Sequence, residues 1–181
     1  MKRFHSLNDA DFESLFRDFE HHAFRLETLQ VYNVDYEKKP FQDFLAGKER
    51  YAHPTQQEWV DGIRANAAAG KTMARVHVVE EPPTDYVRFE MLWPYQDSLP
   101  AGEDIRIWPV EQGKWPVGVL DFDYWLFDSE IAYTMQYYPD GSFSSADLVT
   151  DPAEVKRLEQ CMVRATSGSM HLEEYLSSRV A

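Results

Sequence analysis

Asp121-Phe-Asp-Tyr-Trp-Leu-Phe-Asp128 opens a hairpin. Six of the next ten residues, Ser129 to Tyr138, are apolar or aromatic, and Pro139-Asp140-Gly141 closes the run. Two such runs joined at Asp128-Ser129 and ended by a proline-glycine turn read as strand, tight turn, strand. A ribbon this aromatic belongs at the centre of a core. Alternation along it puts Phe122, Tyr124 and Leu126 on the core face. It leaves the acids Asp121, Asp123, Asp128 and Glu130 on the solvent face.

The elements on either side of the ribbon give the rest of the architecture. Asn8 or Asp9 caps a helix over 10–21, with Phe12, Leu15, Phe16 and Phe19 on one face. Residues 23–32 alternate, Phe24 and Leu26 against Arg25 and Glu27, as a half-buried strand does. Phe41, Phe44 and Leu45 suit one short helical turn. Thr55 and Glu58 have capping-box spacing and open a helix to about Ala69, where Gly70 stops it. Trp59, Ile63 and Ala67 form its inner stripe. Residues 71–80 alternate again as a strand. Residues 84–93 fit a helix capped by Thr84 or a strand, and the Pro-Pro-Thr-Asp start favours the helix. Short strands follow over 104–110 and 142–149. Asp151-Pro152 then starts a helix to about Ala165 with Val155, Leu158 and Met162 inward. A short helix over 170–178 ends the chain. No repeat or linker interrupts the 181 residues, which read as one α+β domain spanning 1–181. A mixed β-sheet forms its middle, with helices packed on its faces.

Composition narrows the function. Hydrophobic residues make up 44 % and aromatics 14 %, and 31 acids against 18 bases give a formal net charge of −13. A surface that acidic repels phosphate backbones and anionic membranes, so neither nucleic acid nor membrane is an expected partner. A basic protein is. The single cysteine, Cys161, allows no intrachain disulfide. The N-terminus has no signal-peptide pattern and no window is long and apolar enough for a membrane span, which makes a cytoplasmic location the expectation.

Candidate chemistry is sparse. The histidines are scattered without ligand spacing, and adjacent His21 and His22 would point about 100° apart on a helix, so no metal is expected. Cys161 reads as a buried, inert thiol. No G-x-S-x-G elbow, P-loop or G-x-G-x-x-G fingerprint occurs, so no catalytic residue and no cofactor is assigned. Arg25, Arg75, Arg88 and Arg106 sit among apolar neighbours, as do Glu27, Glu90, Glu103 and Asp104. Pairing of these groups at the sheet edge is the favoured reading. The alternative is the pocket of a small-molecule-binding protein or enzyme, framed by Arg25, Arg88, Glu90, Arg106, Trp125 and Asp128.

Several stretches resemble a known family. They are Leu15-Phe-Arg-Asp-Phe-Glu-His-His-Ala-Phe-Arg-Leu-Glu27, Pro40-Phe-Gln-Asp-Phe-Leu-Ala-Gly47, Arg75-Val-His-Val-Val-Glu-Glu-Pro-Pro-Thr-Asp-Tyr-Val-Arg-Phe-Glu90, Ala101-Gly-Glu-Asp-Ile-Arg106 and Asp123-Tyr-Trp-Leu-Phe-Asp128. Together they resemble an uncharacterised actinobacterial domain family, filed as domains of unknown function. Its members are often encoded in streptomycetes beside helix-turn-helix regulators. The resemblance implies a lineage and a regulatory neighbourhood, not a chemistry. Taken with the acidic charge and the missing catalytic motifs, it makes a non-enzymatic regulatory or accessory protein, with a helix-turn-helix regulator as partner, the expectation. The second half, with its hairpin, Ala146-Asp-Leu-Val-Thr-Asp-Pro152 and a helix, also resembles the end of phospholipase-D-like sensor domains. Catalytic members of that group carry His-x-Lys, and no histidine here is followed two residues later by lysine. That resemblance implies a non-catalytic module.

Overall fold

The computed structural model describes residues 2–7 and 9–179. The ribbon is β5 (Tyr124–Phe127) and β6 (Ile131–Tyr137), paired antiparallel. Asp128 and Ser129 both have positive φ, 53° and 56°, the left-handed geometry that a tight hairpin turn demands. All four residues of β5 are buried. Trp125 and Phe127 are buried, as are Tyr124 and Leu126, because both faces of the sheet are covered. The expectation of a solvent face carrying all the acids therefore fails at Asp123, which is 1 % exposed.

One mixed sheet runs through the molecule in the order β1-β7-β6-β5-β2-β3-β4-β8. The antiparallel half adds β7 (Phe143–Val149) and a two-residue edge, β1 (Arg3–Phe4), too short to leave a periodic signal. The parallel half is β2 (His22–Glu27), β3 (Thr72–Glu81) and β4 (Glu103–Glu111). β2 also pairs antiparallel with β5, which joins the halves. β8 (Met170–His171) pairs with β4 where a last helix had been expected to begin, and α7 (Leu172–Ser177) follows it.

Parallel neighbours need crossovers. The first runs through α2 (Lys38–Leu45) and α3 (Pro54–Ala68), and the second through α4 (Asp85–Leu92) and α5 (Pro94–Ser98). Residues 84–93 are thus helical, with Thr84 Oγ1 accepting the Val87 N–H at 3.1 Å. The start of α3 is capped by His53, whose Nδ1 accepts the Thr55 N–H, rather than by Thr55. Its buried stripe is Gln56, Val60, Ile63 and Asn66, and Ala67 is exposed.

α1 (Ala10–Asp18) begins at the Asp9 cap, while Asn8 lies outside the described residues. It ends three residues short of His21. The Asp128 carboxylate draws the Glu20, His21 and His22 amides into an extended path at 2.7–2.8 Å. α1 packs Phe12 and Phe16 with Val60 and Ile63 on one face of the sheet, against Ala23, Met73, Trp125, Phe127 and Tyr133. α6 (Pro152–Gly168), capped by Asp151, covers the opposite face. Its Val155, Leu158, Cys161 and Ala165 meet Phe24, Leu26, Val76, Val78, Tyr124 and Leu126. Among the described residues, no helix is long and apolar enough to cross a membrane.

β2 is consequently not half-buried. Phe24 and Leu26 lie under α6, and Arg25 and Glu27 lie under the helices of the other face. The polar side of that alternation is an interior.

Candidate functional site

Sheet register builds the site. Arg25 of β2 stands opposite Arg75 of β3 and Trp125 of β5, and Glu27 stands opposite His77. Residues paired across strands share a face, so two guanidiniums, a carboxyl and an imidazole are delivered to one patch. α4 and α5 lower Glu90 and Tyr95 onto it, and the start of β4 adds Glu103.

Every charge there is desolvated, so each must find a partner. Arg25 donates to Glu27 Oε1 at 3.2 Å, Asp123 Oδ2 at 3.0 Å and Tyr137 Oη at 2.9 Å. Its guanidinium also faces the Trp125 ring, 5.3 Å from the centroid. Arg75 donates to Glu103 at 2.7 Å and to both oxygens of Glu27 at 3.2 Å. Asp123 accepts from the Thr28 amide and hydroxyl and from Tyr32 and Tyr137. Burial alone would raise the Glu27 carboxyl, but Arg75 and Arg25 outweigh it and hold the group well below the usual carboxylate range. Burial lowers His77, which stays neutral.

His77 is fully enclosed. One ring nitrogen, Nε2, lies 2.8 Å from the Leu29 carbonyl oxygen. A carbonyl only accepts, so Nε2 carries the hydrogen and Nδ1 presents a lone pair. Nδ1 is 3.1 Å from Tyr95 Oη, 3.7 Å from Glu90 Oε2 and 4.0 Å from Glu27 Oε2. Tyr95 has one hydroxyl hydrogen, and Glu27 Oε2 takes it at 2.7 Å.

Glu90 is 6 % exposed and its Oε2 has no hydrogen-bond partner, as is also true of Glu103 Oε2. Burial first, then the neighbouring carboxyls of Glu27 and Glu37, push Glu90 well above the ordinary range. Glu37, bonded to Tyr86, is raised by burial too. Within the cluster five carboxyls, Glu27, Glu37, Glu90, Glu103 and Asp123, face two guanidiniums.

At its Tyr137 end the cluster reaches the surface. An open cleft of about 390 Å³ lies over Thr28, Asp121, Asp123 and Tyr137, rimmed by Val31 and Tyr138. Those two rim side chains are 49 % and 57 % exposed.

Residues 10–177 match the family model described as a domain of unknown function, DUF6879. The chain belongs to the DUF6879 family. No curated protein matches it.

In this DUF6879 chain, three of the six side chains proposed for a pocket, Arg25, Glu90 and Trp125, do gather in the cluster. The other three lie elsewhere. Arg88 is exposed and pairs with Asp85 on its own helix. Arg106 sits towards the far edge of the sheet, bonded to Ser169. Asp128 binds the three backbone amides that lead into β2. Arg25 and Arg75 do pair with carboxylates, but mid-sheet, not at its edge. His77, Tyr95, Tyr32 and Tyr137 were missed. The available signal was the repeated polar position in Arg25-Leu-Glu27 and Arg75-Val-His77, on strands whose alternate residues are apolar.

Proposed function

We propose that the protein is a non-enzymatic regulatory accessory that binds a basic partner, a helix-turn-helix regulator, at the cleft above Asp121 and Asp123. The observation that carries this reading is the cleft. It is lined by the exposed acid Asp121 and by two half-exposed apolar side chains, Val31 and Tyr138. Apolar anchors beside a charge of one sign suit a protein segment of the opposite sign. The floor under them is rigid, because Asp123 and Tyr137 are tied to Arg25. A net charge of −13 supports the same choice, drawing a cationic protein in and keeping nucleic acid away.

The charged groups best suited to chemistry are sealed under α4, and the surface cleft receives only Asp123 and Tyr137 from them. This favours binding over turnover. The streptomycete lineage, the regulatory neighbourhood and a cytoplasmic location belong to the same proposal. So does kinship with phospholipase-D-like sensor modules, of a kind that binds without cleaving.

A second reading takes a small ligand in the same cleft, whose volume lies in the range of ligand sites, about 300–1,000 Å³. Titration of the purified protein against a helix-turn-helix regulator separates the two. The expected result is a complex at micromolar concentration in low salt, weakened by added salt and by Tyr138→Ala or Asp121→Lys. Absence of a complex in low salt overturns the partner reading, and ligand-induced stabilisation lost in the same variants would favour the second.

A further inference from the structure

We infer that Glu27, His77 and Glu90 form a buried binding site for one divalent first-row transition metal ion. Their ligand atoms all lie within 4.8 Å of one another. Such an ion binds nitrogen and oxygen at about 2.0–2.2 Å, which sets tetrahedral ligand atoms roughly 3.4 Å apart. The observed 3.7 Å and 4.0 Å from Nδ1 to the two carboxylates need only a small contraction.

Three features separate this constellation from an ordinary ion network. The first is the imidazole. Its Nε2–H is fixed on the Leu29 carbonyl, the outer contact that orients a metal-ligating histidine, and the free Nδ1 points inward at the two carboxyls. The second is Glu90, enclosed and aimed at that nitrogen with an oxygen that nothing satisfies. A buried polar atom without a partner calls for an explanation, and an ion supplies one. The third is charge. Five carboxyls outnumber two guanidiniums, and Glu90 pairs with neither Arg25 nor Arg75, so a dication would supply the cation it lacks. Arg75 does not block the site. Its Nε is tied to Glu103 at 2.7 Å, so the guanidinium keeps a partner while Glu27 turns an oxygen to the ion.

One imidazole with two carboxylates is a borderline donor set. It selects zinc, manganese, iron(II) or cobalt over magnesium and calcium, which prefer all-oxygen shells. The fourth position falls to Tyr95 Oη, 3.1 Å from Nδ1, or to a water. The ion would lie between β2, β3 and α4, pinning the helix to the sheet.

The full chain, refolded from urea with cobalt(II) or zinc(II) because the ligands are enclosed, is desalted against chelator and its metal content measured. About one ion per chain is expected, with a raised melting temperature and, for cobalt, the visible absorption of a low-coordinate site. Glu90→Gln keeps the shape and removes the ligand charge. It should leave the metal-free melting temperature unchanged while affinity falls by about 100-fold or more. Replacing His21 and His22 by alanine, outside the site, should change nothing. A parent chain that retains no stoichiometric metal overturns the site, and so does a Glu90→Gln chain that binds as the parent does. If Glu90→Gln fails to fold, the parent's metal content and cobalt spectrum decide alone.

Discussion

Asp123 Oδ2 accepts Arg25 Nη2 at 3.0 Å, where neither side chain has meaningful access to water. The same carboxylate fixes the Thr28 amide and hydroxyl and two tyrosines. Removing it leaves four hydrogen-bonding groups without their acceptor and deprives Arg25 of one of its two carboxylates in a dry interior. Asp123→Ala is expected to cost about 3–5 kcal/mol in urea unfolding, as breaking one side of a buried ion pair does. Asp123→Asn, which retains one acceptor oxygen, should fall between it and the parent. A loss under about 1 kcal/mol would mean that the network is hydrated.

The end of α6 presses on β4. A Cβ built on Gly168 would stand 2.2–2.6 Å from the Trp108 ring. Helix propensity alone would make Gly168→Ala stabilising by up to about 1 kcal/mol. Steric overlap reverses the sign, to an expected loss of about 1–3 kcal/mol. The same change in a Trp108→Leu background should recover the propensity gain, so the two substitutions will be non-additive. Additive melting temperatures would show that the ring moves aside freely.

Local chemistry made much of this fold legible, and long-range register made the rest illegible. Asp151-Pro152 announced α6, and Thr84 after two prolines announced α4, because capping is settled within four residues. The aromatic density after Asp121 located the central ribbon. The polar alternation of Arg25 and Glu27 was read as solvent-facing, since a single strand cannot show what covers its second face. That took α4 and α5, some 60 residues onward. His77 looked unattached for the same reason. Its neighbours Glu27 and Glu90 come from another strand and a helix, and only the parallel β2–β3 register brings them together. Arg88, Arg106 and Asp128 lie outside the cluster that gathers Arg25, Glu90 and Trp125, because charge in an apolar context marks burial or an element's end without saying which.

Asp128 connects the hairpin turn to the α1–β2 link. Its carboxylate accepts from the Glu20, His21 and His22 amides, and these bonds outweigh partial burial to lower its pKa. A carboxyl lowered in the folded state stabilises above its unfolded pKa, near 3.9, and loses that contribution as pH falls through the folded value. Asp128→Asn should therefore flatten the acid limb of the melting-temperature profile below about pH 4. At neutral pH, Asp128→Ala should cost about 1–2 kcal/mol, similar to loss of a helix cap. An unchanged acid limb in Asp128→Asn would remove this group from the pH dependence.

Cys161 reports on the packing of α6. The thiol is buried against Tyr124 and Leu126 in the core of that face, and its sulfur accepts the Leu120 N–H at 3.3 Å. A reagent can reach it only when α6 lifts from the sheet or the chain unfolds. Thiol labelling of the native protein should thus be slow and should accelerate with urea in step with global unfolding. Loosening the same seam with Leu158→Ala, at an expected cost of about 2–5 kcal/mol, should speed labelling in proportion. Rapid labelling of the unperturbed parent would show that α6 opens independently, and that the two faces of the sheet are not one cooperative unit.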